Sequence, residues 1–205
     1  MGARASEAVA TADTRAGRSG ATTQSHGGAA SDGDPRRAAE LLADALSGSD
    51  DTVTALLESL TGEVVEAERI AQTATVATAS NRLDVVAGHA LVSRQAILRG
   101  RTSRRDYLYA ETLFVADRLP DGVRSTLATT TDPIGRVFAA RDIAMSRTVL
   151  GTPHRTPTVA RLGPENALEH AIFARRYRVE AGGLAVMLID EWFLPSLRDV
   201  VLGVT

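Results

Sequence analysis

Apolar side chains recur along this chain with two different periods, and the change from one to the other divides it. Ala38, Leu41, Leu42, Ala45 and Leu46 fall at helical spacing and are closed by Gly48. A second helix is predicted from Asp51, as N-cap, through Val53, Leu56, Leu57 and Leu60, with Gly62 as its break. Beyond about residue 70 the pattern turns strand-like, with strands predicted over residues 71–79, 90–100, 106–117, 143–150, 170–180 and 184–194. Two short helices, near 121–129 and 133–141, fall between the third and fourth strands, the second opened by Asp132-Pro133 as N-cap and first helical residue. Gly182-Gly183 reads as a hairpin turn. Strands joined by short turns, without a helix between each pair, predict an α+β domain: an antiparallel sheet with helices packed on one side. Residues 1–35 carry no aromatic and almost no large aliphatic side chain, so a disordered tail is expected ahead of a single domain over 36–205.

The period of two also exposes residues that break it. In the run from Val186 to Pro195, Glu191 falls on the face of Met187, Ile189 and Phe193, and Asp190 on the face of Leu188 and Trp192. Neither carboxylate has a polar face to occupy, so at least one of the two needs a cationic or hydrogen-bonding partner, or a ligand. Arg94 shares a face with Ala90, Val92, Ala96 and Leu98, and an arginine on an apolar face needs an anion. Two readings stand open: a buried salt bridge between Arg94 and Glu191, or a pocket in which Arg94 receives a substrate carboxylate and Glu191 addresses the other end. Arg175, on the face of Phe173 and Tyr177, is either a second anion receptor or part of an ion pair, while Arg176 and Arg178 share the opposite face. Glu111 is expected to partner one of these arginines. Tyr107, Tyr109, Phe114, Phe173 and Tyr177 read as core or pocket wall.

Composition narrows the chemistry. The 205 residues carry a net charge of -2, all 23 basic residues are arginine, and there is no cysteine. Absence of lysine excludes Schiff-base catalysis and the GxxxxGK[ST] phosphate loop; absence of cysteine excludes a thiolate nucleophile and iron-sulfur ligation. The four histidines are scattered without metal-ligand spacing, so no metal is expected. No single-sign charge field points to nucleic acid. Apolar runs of about ten residues are too short to span a bilayer, and no secretory pattern opens the chain, so a cytoplasmic protein without a membrane partner is expected. The arginine-only, alanine-rich usage suits a bacterial genome rich in G and C.

From Ser59 to Pro195 the chain resembles the chorismate pyruvate-lyase family. The resemblance lies in Ser59-Leu60-Thr61, Arg94 with Ile97-Leu98, Tyr109-Ala110-Glu111-Thr112 leading to Arg118-Leu119-Pro120, Asp132-Pro133-Ile134-Gly135-Arg136, and Asp190-Glu191-Trp192-Phe193-Leu194-Pro195. It implies a six-stranded antiparallel sheet with helices over one face and a ligand enclosed under helical flaps. It also implies a cofactor-free elimination that splits chorismate into 4-hydroxybenzoate and pyruvate. By position, Arg94 and the backbone N-H of Ile134 would bind the ring carboxylate, Glu191 would meet the ring hydroxyl as general base, and Leu60 would lie over the ligand in a flap. Arg175 or Arg178 would hold the second carboxylate. The chain departs from the family in Gly182-Gly183-Leu184-Ala185, one residue longer and without the family's frequent proline, and in Glu111, where an arginine is often found.

Two other readings belong to different classes. One is an enzyme of this fold redirected to another acid in natural-product biosynthesis. The other is a non-catalytic effector-binding domain, which would want a DNA-binding winged helix that residues 1–58 do not suggest. In each case the partner is a small molecule, and the protein is expected to be a monomer or small homo-oligomer.

Overall fold

The computed structural model describes residues 35–47 and 52–203. Except for Pro35, the expected tail lies outside the described residues, as do Gly48 and Asp51. Six strands form one antiparallel sheet: β1 (Val65–Val76), β2 (Ala90–Gly100), β3 (Asp106–Phe114), β4 (Met145–Gly151), β5 (Phe173–Ala181) and β6 (Leu184–Phe193). Their order across the sheet is β1-β2-β3-β6-β5-β4. Two meanders of three strands therefore meet at β3 and β6, which occupy the centre and are buried along most of their length. Both faces of the centre are covered, which explains why β6 reads as a nearly continuous apolar run.

The helices are α1 (Pro35–Ser47), α2 (Val53–Thr61), α3 (Asp121–Thr129), α4 (Ile134–Ala139) and α5 (Arg198–Leu202). They pack on one face, as the sequence predicted. Ala38 and Leu42 of α1 and Leu57 of α2 meet Leu98, Leu108 and Phe193 of the sheet; Val123 and Leu127 of α3 and Val137 and Phe138 of α4 meet Phe114, Val179, Met187 and Ile189. The opposite face is closed without long helices. Leu162 and Leu168 cover Ile97, Tyr109 and Trp192, and Ala77 and Leu83 join Leu91 and Val115. Among the described residues no helix is long and apolar enough to cross a membrane.

Three local differences from the sequence reading have physical causes. First, β1 begins at Val65 rather than 71. Val65 and Ala67 are buried in the core on one face, and Glu66 and Glu68 stand on the other, Glu66 paired with Arg101 at 2.5 Å and Glu68 with Arg99 at 3.0 Å and Arg161 at 2.9 Å. Second, Thr52 is the N-cap of α2, its hydroxyl accepting from the Ala55 N-H at 3.2 Å, and Gly62 closes the helix at a φ of 68°, a left-handed conformation that glycine adopts without a Cβ clash. Third, α4 starts at Ile134, one residue later than predicted, because the Asp132 carbonyl is turned toward Arg94.

Candidate active site

The helical face of the sheet encloses a cavity of about 660 Å³, its open mouth included. Arg94, Ala96 and Ala110 form part of its floor, with Ile189 and Glu191 beside them; Thr52, Val53 and Thr54 from the start of α2, and Pro133, Ile134 and Gly135 from the start of α4, form its roof. The period-two assignments of Arg94 and Glu191 hold, and the two line one space together with Ile134 at the start of α4.

The first of the two open readings fails. Glu191 is 2% exposed and accepts from Arg175 Nε at Oε2 and from the Tyr177 hydroxyl at Oε1, each at 2.7 Å. Arg175 faces Glu191 directly across the β5-β6 pair, and its guanidinium lies 4.7 Å from the centre of the Tyr177 ring. Burial presses the Arg175 pKa down, and the charges and hydrogen bonds of Glu191 and Tyr177 together more than offset it, so the net shift is upward. Burial and then the Glu191 charge lift the Tyr177 phenol well above its ordinary value, so it stays protonated and donates.

Arg94, also 2% exposed, is bonded to two backbone carbonyls: Leu127 from Nη1 at 3.4 Å and Asp132 from Nη2 at 3.2 Å. Both are long for charge-assisted bonds, and its Nε finds no partner among the described residues. Burial, then the neighbouring Arg69 charge, hold its pKa below the ordinary guanidinium value despite Asp132. A buried cation satisfied this poorly is stabilised by any anion that enters the cavity.

The segment Asp132-Pro133-Ile134-Gly135-Arg136 shows why each residue type is there. Pro133 is buried within the roof and Ile134 faces the cavity. A Cβ on Gly135 would lie 2.5 Å from Thr52 Cβ, so only glycine lets the starts of α4 and α2 approach this closely. Arg136 then ties α4 to α2 through Glu58 at 2.6 Å, and the same Glu58 oxygen accepts from the Val65 N-H at 2.9 Å.

Other site residues expected from the sequence fall elsewhere. Leu60 is half-buried and packs against the core formed with α1 and β3, and the α2 residues over the cavity are Val53 and Thr54. Arg175 reaches Glu191 from outside the lining. Arg178 sits on the opposite face, paired with Asp84 at 3.1 Å and Glu180 at 2.6 Å. Asp190 finds its partner there too, in two 2.6 Å bonds from Arg176. Glu111, on that same face, takes Arg155 at 2.5 Å, with Gln95 and the Tyr109 hydroxyl also donating to it. The departure from the family at Glu111 is thus separated from the cavity by the sheet. The sequence reading passed over Arg147 of β4, which lines the cavity beside Met145 and Val179. The signal was present, since Met145, Arg147 and Val149 alternate with Ser146, Thr148 and Leu150 as Arg94 does with its neighbours.

Fold and site together define an α+β protein with one antiparallel sheet and a helix-roofed cavity built around a buried cation. A family model described as Rv2949c-like chorismate pyruvate-lyase matches residues 47–201, and the chain belongs to that family. It is 37% identical over 112 residues to a chorismate pyruvate-lyase of Mycobacterium tuberculosis, covering 53% of this chain and 56% of the relative. It is 31% identical over 109 residues to the chorismate pyruvate-lyase of Mycobacterium leprae, covering 52% and 51%. The chain spans about half the length of the curated relatives it matches. Among solved structures it is similar to PhnF from Mycobacterium smegmatis, with a TM-score of 0.48 and 16% identity over 72% of this chain and 65% of that one.

Proposed function

We propose that this protein eliminates pyruvate from chorismate to give 4-hydroxybenzoate, without a cofactor. The observation that carries the reading is the buried guanidinium of Arg94, held by two long carbonyl contacts and facing a cavity whose floor also holds Glu191. The ring carboxylate settles on Arg94, aided by the N-H of Ile134. The ring hydroxyl then meets Glu191, whose orientation is set by Arg175 and Tyr177. Binding fixes the reacting bonds in one geometry, and aromatisation drives the reaction forward.

The C-H at the hydroxyl-bearing carbon gives up its proton to Glu191, and its electron pair completes the aromatic ring as the adjacent ether C-O bond breaks. The departing enolpyruvate takes that proton from Glu191 on its methylene carbon and becomes pyruvate, which returns Glu191 to the carboxylate. Atoms balance with no oxidant, water or cofactor. The test is incubation of the purified full chain with chorismate while both products are followed. Formation of 4-hydroxybenzoate and pyruvate in equal amounts above the uncatalysed background supports the lyase. Tight binding of 4-hydroxybenzoate without turnover makes the protein a sensor, and no response to either acid points to a different substrate.

A further inference from the structure

Chorismate carries two carboxylates, and Arg94 accounts for one. Both arginines first expected to take the other lie outside the cavity lining, Arg175 turned onto Glu191 and Arg178 on the far face with Asp84 and Glu180. We infer that Arg147 is the receptor for the enolpyruvyl carboxylate, which makes the cavity selective for a dicarboxylate. The inference rests on the lyase reading for the identity of the ligand, and on the placement of Arg147 for its chemistry.

Among the described residues, Arg94 and Arg147 are the two basic side chains in the lining. They enter from opposite sides. Arg94 stands on β2 and Arg147 on β4, with β3, β6 and β5 between them. That is four strand spacings of about 4.8 Å each, a floor wide enough for one substituted ring between two long side chains reaching inward. Arg147 also lies close enough to the Tyr177 hydroxyl for its charge to favour the ionised phenol there. Since that hydroxyl is bonded to Glu191, the Arg147 charge acts on the side of the cavity where the ether bond of a bound chorismate would break.

Depth differs between the two cations. Arg94 is buried under α3 and α4, whereas Arg147 is partly exposed on the sheet edge. The ring carboxylate therefore lies deepest, with the enolpyruvyl arm pointing toward β4. A guanidinium on that arm's carboxylate also offsets negative charge on enolpyruvate as it leaves.

The discriminating experiment compares chorismate, with two carboxylates, and 4-hydroxybenzoate, with one, on wild-type protein and on Arg147→Gln, using calorimetry for affinity and steady-state rates for KM. Loss of one charge-assisted contact predicts chorismate affinity lower by about ten- to a hundredfold, with 4-hydroxybenzoate affinity unchanged. Arg147→Lys should restore part of the loss. An unchanged affinity for chorismate, or an equal loss for both acids, overturns the role of Arg147. Wild-type protein that binds both acids without converting chorismate would sink the lyase reading alone, because the affinity ratio still tests Arg147. Wild-type protein that binds neither acid overturns both.

Discussion

Arg175 Nε donates to Glu191 Oε2 at 2.7 Å between directly facing residues of β5 and β6, inside a protein interior where both side chains are buried. Glu191 is therefore a structural residue as well as a candidate base. Removing one member of a buried ion pair leaves the other without compensation. Arg175→Ala is expected to destabilise the fold by about 3 to 5 kcal/mol, and Arg175→Lys by less, since lysine keeps the charge and loses the planar donor geometry. Equilibrium unfolding in urea measures both. Wild-type stability in Arg175→Ala would mean that the pair does not hold this part of the sheet.

Glu191→Ala would confound the two roles, whereas Glu191→Gln keeps the side-chain shape and one acceptor oxygen. If Glu191 removes the proton, Glu191→Gln should lower kcat by at least about a hundredfold, the usual scale of a general base, with smaller effects on 4-hydroxybenzoate affinity. An unchanged kcat would show that orientation and aromatisation suffice.

Arg94 should behave in the opposite way to Arg175. Its burial is offset only by two long carbonyl contacts, so replacing it with an apolar side chain of similar length removes a cost. Arg94→Met is expected to be as stable as wild type or more so, while losing roughly ten- to a hundredfold in affinity for 4-hydroxybenzoate. Thermal unfolding and calorimetry on the same preparation test the contrast. A variant that loses stability and keeps affinity would make Arg94 a structural residue.

The faces of the strands were legible because their side-chain period is two, and Arg94, Glu191, Asp190, Arg175 and Arg178 all project where that period put them. Their partners were not legible. The turn at Gly182-Gly183 sets Ala181 opposite Leu184 and Glu180 opposite Ala185, but Val179 faces Met187, so Val186 is an extra residue. The additional residue noticed in the sequence is thus absorbed as a bulge, whose carbonyl accepts from the Val115 N-H at 3.0 Å. The bulge moves the pairing by one, bringing Arg175 opposite Glu191. Without it Arg175 would face Asp190, and the cavity would have a different floor. The cover on the second face escaped notice for another reason: Val159, Leu162 and Leu168 follow no period, and only the completed sheet gives them a surface to cover.

Glu63 offers a test of the fold away from the cavity. Burial pushes its carboxyl pKa up, but the hydroxyls of Ser103 and Tyr107, each at 2.5 Å, and the N-H groups of Ser103 and Thr102 donate to it and bring it down to about 2 from 4.5. These bonds fasten the start of β1 to the β2-β3 turn. A group whose pKa is lower in the folded state binds its proton more readily when unfolded, so its stabilisation is complete above 4.5 and lost as pH falls toward 2. Wild-type protein should accordingly be more stable than Glu63→Gln at neutral pH, and the gap should close as the buffer is taken down through that window. Paired urea titrations across the range read the gap directly, and a difference that stays constant with pH would remove Glu63 from the acid sensitivity of the fold.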